Sequence, residues 1–463
     1  MMDFTHKIKS GQRVVVLGLG VSGRAAVKFL LAQGARVFVS DSRELNDLPA
    51  ADQEYLQKND IGFEGGRHSR EFLLQGDCIV ISPGIPTDLP LLLEMRDENI
   101  PILGELALAA PYLTECVVAV TGTNGKTTVT SLIGELLTAS GKKVFVGGNI
   151  GTPILDYLRG GEKADVLVLE LSSFQLESAG NFCPHIGVLL NITADHLDRH
   201  ENMENYVAAK MKLFDHQGKN DKVILYGNDP IYPQIRSLLT EQEVYCFGNL
   251  ESDCAAKGEE QEFSISIPGT EESYSLAGTR LDSHTGLLNS EAAILAVSLL
   301  GCQKQDIERG LKGFVPADHR LQYVRSRGGV EYYNDSKATN TGAVLSALES
   351  FPENIILLAG GRDKGEDYTV LKELAQEKVK ELVLLGEAAQ AIDMALADVC
   401  KSRRAGSMEE AVALASTIAQ PGDVVLLAPA CASFDMFNNY GHRGEVFMEA
   451  VMALPEVPAE KAA

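Results

Sequence analysis

Short runs of β-branched and aliphatic residues recur at 14–17, 37–39, 78–81, 117–120, 144–146, 166–169, 186–190 and 223–225, with helical stretches between them. Runs that stay apolar at successive positions predict strands buried on both faces, and strands separated by helices predict parallel α/β layers. A later series at 332–333, 355–358, 381–385 and 424–427 repeats the pattern. The stretch 246–281 differs. Its runs are short and alternating, as at 263–267, which predicts an antiparallel addition to the central layer. Proline junctions at Ala110-Pro111-Tyr112 and Val315-Pro316-Ala317 precede the second and third series. They divide the 463 residues into units at 1–111, 112–316 and 317–463, a number of units that the length alone suggests.

Two glycine-rich loops follow predicted strands. Thr121-Gly122-Thr123-Asn124-Gly125-Lys126-Thr127-Thr128 lies between the run at 117–120 and a helical stretch at 129–139. Its glycines permit a tight turn that points successive N–H groups at phosphate oxygens at a helix N-terminus. Lys126 can then reach terminal phosphates and the Thr127 hydroxyl can reach Mg²⁺. Val120 stands where the strict motif has a glycine, so the loop is a variant. The run at 166–169 ends on Glu170, where a metal carboxylate belongs. Earlier, Gly18-Leu19-Gly20-Val21-Ser22-Gly23 opens a helical stretch at 24–31, and Asp41 lies 18 residues beyond Gly23. That is a Rossmann-type fingerprint, which taken alone also suits an NAD-dependent oxidoreductase. The fold class is α/β in three domains. The outer two are Rossmann-like, and the central one is a P-loop ATPase-like parallel sheet with antiparallel decoration.

Composition narrows the class. A net charge of −23 argues against nucleic acid as a partner, yet local cations and N–H groups can still bind phosphate. Eight cysteines are scattered without a CxxC pair and read as thiols in a reducing compartment. Residues 1–9 lack the apolar centre of a signal peptide, and no apolar run approaches about 18 residues. The expectation is a cytoplasmic protein with no membrane partner, and a C-terminal stretch at 455–463 that frays.

Taken with Glu170-Leu171-Ser172-Ser173-Phe174-Gln175-Leu176-Glu177, the loop at 121–128 resembles the Mur ligase superfamily, ATP-dependent enzymes that join an amino acid to a carboxylate. Further matches follow in order. They are Gly147-Gly148-Asn149-Ile150-Gly151, Leu190-Asn191-Ile192-Thr193-Ala194-Asp195-His196-Leu197-Asp198-Arg199-His200, Tyr206-Val207-Ala208-Ala209-Lys210-Met211-Lys212, Asp318-His319-Arg320 and Asn334-Asp335-Ser336-Lys337-Ala338-Thr339-Asn340. Leu358-Ala359-Gly360-Gly361-Arg362-Asp363-Lys364-Gly365 resembles the D-glutamate-adding branch. So does Ala428-Pro429-Ala430-Cys431-Ala432-Ser433-Phe434-Asp435 with Tyr440 and Arg443. The resemblance runs from about 14 to 447. One segment departs from it. The family usually carries His-Asn-x-x-Asn before a central helix, and here Thr285-Gly286 replace the His and first Asn, with His284 shifted by one. Asn289 matches the last Asn, near the nucleotide base.

The resemblance implies a ligase that joins D-glutamate to UDP-N-acetylmuramoyl-L-alanine through an acyl phosphate, giving ADP and phosphate, in peptidoglycan biosynthesis. ATP would be held by Gly122, Thr123, Asn124, Gly125, Lys126, Thr127, Thr128, Asn289, Arg320 and Asp335. Thr127 and Glu170 would hold one Mg²⁺. His196 would hold a second, with Lys210 carbamylated by CO₂ so that an ammonium becomes an oxygen ligand. Lys126, Glu170, His196, Lys210 and Lys337 form the implied catalytic set. The UDP substrate would lie on Val21, Ser22, Asp41, Ser42, Arg43, Ser82, Pro83 and Gly84, with Asn149, Ser172 and Gln175. D-glutamate would meet Thr339, Lys364, Ser433, Phe434 and Tyr440. The protein would act as a monomer, its third domain closing about Pro316. Three rivals stand beside this reading. A folylpolyglutamate synthase-like ligase is disfavoured by the motif at 428–435. An oxidoreductase leaves the loop at 121–128 unexplained. A non-catalytic nucleotide-binding module draws support only from Thr285-Gly286.

Overall fold

A computed structural model describes residues 6–248, 255–259 and 262–455; Cys254 and the tail beyond Pro455 lie outside them. Three sheets follow one another along the chain. The first has five parallel strands in the spatial order Gly62–Glu64, Arg36–Ser40, Arg13–Leu17, Cys78–Ile81 and Ile102–Leu103. The chain winds one way from Arg13–Leu17 and the other way from Cys78–Ile81. A crevice therefore opens at their carboxyl ends, where doubly wound sheets take ligands.

The central sheet runs Val144–Gly148, Val166–Glu170, Cys116–Thr121, Ile186–Leu189, Lys222–Tyr226, Glu243–Phe247, Ala255–Glu259, Glu262–Ile267 and Thr270–Ser275. It is parallel as far as Ala255–Glu259, and the last two strands are antiparallel. The antiparallel addition thus begins later than the alternation predicts. Cys246 pairs in parallel with Leu225, and Tyr245, Cys246 and Phe247 are all buried, as in a strand covered on both faces. The third sheet runs Gln322–Arg327, Val330–Asn334, Val424–Leu427, Ile355–Gly360, Val379–Leu385 and Ser402–Arg404. Only its first pair is antiparallel.

Packing joins the first two sheets and separates the third. Helix Val21–Ala32 lies against helix Ile154–Gly160, and Leu19, Val27, Ile154, Leu155 and Leu176 share one apolar core. The third sheet has its own apolar layers on its two faces. Its contacts with the central unit include polar ones described below, and polar interfaces of that kind permit rigid-body motion. Helix His284–Ser298 is apolar around its whole circumference from Ala292 to Val297, because it is sandwiched between the central sheet and helix Lys126–Ala139. Among the described residues no helix is long and apolar enough to cross a membrane, and the seven described cysteines are free thiols.

Burial sets the cost of truncation. Ile294→Ala, in the sandwiched helix, should lower stability by roughly 2–5 kcal/mol. Leu238→Ala, at a side chain 61% exposed, should change it by less than about 0.5 kcal/mol. Urea unfolding followed by circular dichroism checks both, and equal midpoints for the two variants would contradict the packing described.

Candidate functional site

The strand Cys116–Thr121 lies between Val166–Glu170 and Ile186–Leu189, at the point where the central sheet reverses its winding. The loop that follows it therefore opens into a crevice. Gly125 caps helix Lys126–Ala139 with a left-handed backbone, φ +81°, which a glycine adopts without strain. The loop is pinned from the next strand. Asn124 N–H donates to Asn191 Oδ1 at 2.8 Å, and Asn191 Nδ2 returns a bond to Asn124 O at 3.2 Å. Lys126 Nζ folds over the loop and donates to Gly122 O at 2.9 Å and Thr123 O at 2.7 Å. Burial lowers its pKa, against the pull of Glu170 and Asp195.

Glu170, 2% exposed, ends its strand where the sequence places it. Its Oε2 accepts from Thr127 Oγ1 at 2.7 Å and its Oε1 from Asn149 Nδ2 at 2.8 Å. Arg320, from the third unit, donates through Nη2 to Thr127 Oγ1 at 2.6 Å. A hydroxyl and a carboxylate this close form a hard-oxygen pair that suits Mg²⁺, which takes few protein ligands and keeps phosphate and water oxygens. Lys210 is 1% exposed and donates to Gly122 O at 2.7 Å, with Nζ 4.5 Å from the centre of the Tyr206 ring. Burial drives its pKa well below the usual lysine value and Lys126 adds to the shift, so the amine is pressed toward its neutral form. His196 adopts φ +56° and packs 4.9 Å from Phe174. Ser172 and Gln175 bond each other as a capping box at the start of helix Ser173–Glu177.

The third unit meets these groups through Asp195, which the sequence motif contains but does not single out. Asp195 accepts from Asn340 Nδ2 at 3.0 Å and lies 3.6 Å from Lys364 Nζ and 3.6 Å from His196 Nε2. Burial pushes its pKa up, but His196, Lys364 and Asn340 outweigh burial and hold it below the usual range. Burial pushes Asp335 up to about 7, against the Leu321 N–H and Arg320. Lys337 Nζ sits 4.0 Å over the Tyr440 ring, and burial, helped by Arg320, brings its pKa down to about 8. Arg443, fully buried, donates to Ser336 Oγ at 3.0 Å, Ser336 O at 2.8 Å and Cys431 O at 3.0 Å. It thereby holds the Lys337 loop, which also carries Thr339, against the Ser433 loop. Ser433 is buried, whereas Phe434 and Tyr440 stay exposed.

Between the two units lies a cleft lined by Asn124, Gly125, Thr128, Asn289, Arg320, Asp335 and Lys337, and also by Tyr226 and Phe247. The two rings lie 5.3 Å apart and 29° from parallel. They end plain strands outside any motif, and only their position as aromatic residues at strand carboxyl ends could have drawn notice. The departure at Thr285-Gly286 has a local cause. A Cβ at Gly286 would stand 2.1 Å from Leu281 O, so the preceding loop packs where a side chain would start. Thr285 Oγ1 instead donates to Ser346 O of the third unit at 3.2 Å.

Of the residues expected to meet UDP, those before 112 stand at the carboxyl ends of the first sheet's strands, whereas Asn149, Ser172 and Gln175 lie on the central unit. Val21 is exposed, Ser22 donates to Glu105 Oε2 at 2.7 Å, and Ser82 donates to Gly18 O at 2.8 Å. Ser42 and Gly84 are exposed and Pro83 half-buried at the same rim. Asp41 is 4% exposed and accepts from Leu19 N–H at 2.6 Å and from Arg43 Nε and Nη2 at 2.8 and 2.9 Å. Burial pushes its pKa up, but Arg43 and the two N–H groups prevail and hold it well below the usual range. In this arrangement Asp41 fixes the glycine loop and Arg43. The first crevice is separate from the cleft, and Arg199 links its rim to the central unit, donating to Ile85 O at 3.3 Å and Glu177 Oε2 at 2.6 Å.

The raised pKa of Asp335 makes a signed prediction. A folded-state value of about 7, above the unfolded 3.8, means the folded chain holds the proton more tightly. Its contribution is full below about pH 4 and is lost as pH rises through 7. Asp335→Asn removes that dependence, so the variant should gain stability relative to wild type between pH 5 and 7.5 in urea unfolding. A gap independent of pH would contradict the burial of this carboxyl.

Family models match the chain as Mur ligase MurD-like, N-terminal domain at 12–104, Mur ligase middle domain at 120–297 and Mur ligase, glutamate ligase domain at 319–431. The chain is 50% identical over 443 residues to the UDP-N-acetylmuramoylalanine–D-glutamate ligase of Desulfotalea psychrophila, covering 96% of each. It is 41% identical over 456 residues to that of Geotalea uraniireducens, covering 96% of this chain and 98% of the relative. Among solved structures, MurF from Acinetobacter baumannii matches with a TM-score of 0.63 at 18% identity, covering 96% of this chain and 91% of that one. MurF from Thermotoga maritima, solved in complex with ADP, matches at 0.60 and 18%, covering 96% and 95%. These structures share the fold, and the identity to the curated relatives carries the assignment: the chain belongs to the Mur ligase family.

Proposed function

We propose that the chain catalyses ATP-dependent addition of D-glutamate to UDP-N-acetylmuramoyl-L-alanine in peptidoglycan biosynthesis. The observation that carries this reading is the convergence of the phosphate loop with Arg320, Lys337 and Lys364 at one junction, in a chain 50% identical to a ligase of that name.

A carboxylate is a poor electrophile because it must expel an oxide. The substrate's alanyl carboxylate oxygen attacks the γ-phosphorus of ATP and the bond to ADP breaks, leaving an acyl phosphate. The D-glutamate amine attacks the acyl carbon, and the tetrahedral intermediate expels phosphate as the amine loses its proton. Positioning and charge neutralisation account for most of what the protein does. Lys126 and the N–H groups at 122–128 neutralise the terminal phosphates, and Arg320 reaches the same edge from the third unit. Lys364, Ser433 and Thr339 supply a charge and donors for the D-glutamate carboxylates, with Lys337 beside them. The uridine diphosphate occupies the first crevice against Ser22, Asp41, Arg43 and Ser82.

Thr127 and Glu170 would hold Mg²⁺, which supplies charge neutralisation on the phosphates when bound. His196 and Lys210 are the pair for a second ion. An ammonium repels Mg²⁺, whereas a buried amine pressed toward neutrality is the form that reacts with CO₂ to give a carbamate.

Phosphate release from ATP with the UDP-linked acceptor, comparing D-glutamate, L-glutamate, L-lysine and diaminopimelate, tests the substrate. Turnover with D-glutamate alone is expected, and turnover with L-lysine instead would overturn the assignment. Lys210→Ala should reduce turnover by roughly 10²–10³-fold, with partial restoration by short carboxylates. Activity equal to wild type would contradict the carbamate.

A further inference from the structure

The aromatic wall of the cleft rests on one buried acid outside the motifs. Glu291 lies two residues beyond Asn289 on helix His284–Ser298 and is 1% exposed. Its Oε2 accepts from Gly248 N–H at 2.8 Å, and its Oε1 is buried with no hydrogen-bond partner among the described residues. Gly248 follows Phe247 directly, with φ +81°, and approaches Tyr226 so closely that a Cβ would stand 2.6 Å from Cε2. Gly227 N–H donates to Phe247 O at 2.9 Å, tying the ends of the two strands together. One carboxyl thus holds the turn that keeps both rings in place.

Placing an acid here is costly. Burial pushes its carboxyl up to about 7, and an apolar side chain of similar size would fill the space without that penalty. Among the described residues, the only group the acid satisfies is the N–H that fixes this turn.

We propose that Glu291 is a positioning residue for nucleotide-base recognition, holding Gly248 so that the stacked rings of Tyr226 and Phe247 form an aromatic wall for the purine. The inference rests on the cleft being the ATP site. The purine is the group that suits such a wall: the phosphates suit the N–H groups and Lys126 of the loop at 121–128, whereas the two rings offer aromatic faces in the same cleft as Asn289.

Calorimetric titration of the full chain with ADP and with inorganic tripolyphosphate separates base from phosphate binding. Glu291→Ala should weaken ADP by about tenfold and leave tripolyphosphate unchanged, because only the base loses its wall. The KM for ATP should rise by a similar factor while that for D-glutamate does not. Glu291→Gln keeps an oxygen acceptor for Gly248 N–H and should restore ADP binding. Gly248→Ala, which displaces the Tyr226 ring, should reproduce the ADP-selective loss, and it replaces Glu291→Ala if that variant does not fold. Unchanged ADP binding in either folded variant, or equal loss of ADP and tripolyphosphate, would overturn the inference. A wild-type chain that binds neither ligand would overturn the ATP reading and this inference with it.

Discussion

A buried carboxyl group needs donors or cations brought to it, and Glu170 and Asp195 impose that condition on two units at once. Both acids belong to the central unit, Glu170 at the end of a strand and Asp195 in the loop after Ile186–Leu189. Arg320, which reaches Glu170 through the Thr127 hydroxyl, comes from the third unit, as do Asn340 and Lys364, which reach Asp195 directly. The junction is thus a polar network where the first and central sheets share an apolar core. Under the proposed function, the cations that answer protein carboxylates are those that would meet phosphate and substrate carboxylates. Binding can therefore exchange one set of anions for another without stripping the cations bare.

The same crowding sets the proton affinities. Lys126, Lys210 and Lys337 are all pushed below the ordinary lysine value, burial first in each case. Under the proposed function, polyanionic substrates would restore the balance. In a chain with a net charge of −23, Lys126, Lys210, Arg320, Lys337 and Lys364 form a local cluster of cations at this junction.

Much of this was legible in the sequence, for physical reasons. Strands covered on both faces read as uninterrupted apolar runs, so the parallel cores stood out. The phosphate loop announces itself because only glycines make its turn. What escaped depends on the tertiary arrangement. Tyr226 and Phe247 become a wall only when parallel strands bring their ends together, and Glu291 reads as an ordinary helix residue until Gly248 folds onto it. Asp195 stood inside a legible motif, but its bridge to Asn340 and Lys364 spans more than a hundred residues. Gly286 stands where the family has an Asn, and only the structure shows that the loop at Leu281 packs where a side chain would start.

The claim on which these relations converge is that the junction activates a carboxylate by phosphorylation. Labelling both oxygens of the alanyl carboxylate with ¹⁸O and analysing the released phosphate by mass spectrometry tests it directly. One ¹⁸O per phosphate is expected, because the carboxylate oxygen that attacks ATP leaves with the phosphate when the amine displaces it. Unlabelled phosphate formed in step with amide would mean that ATP is cleaved by water, and the acyl phosphate would be ruled out.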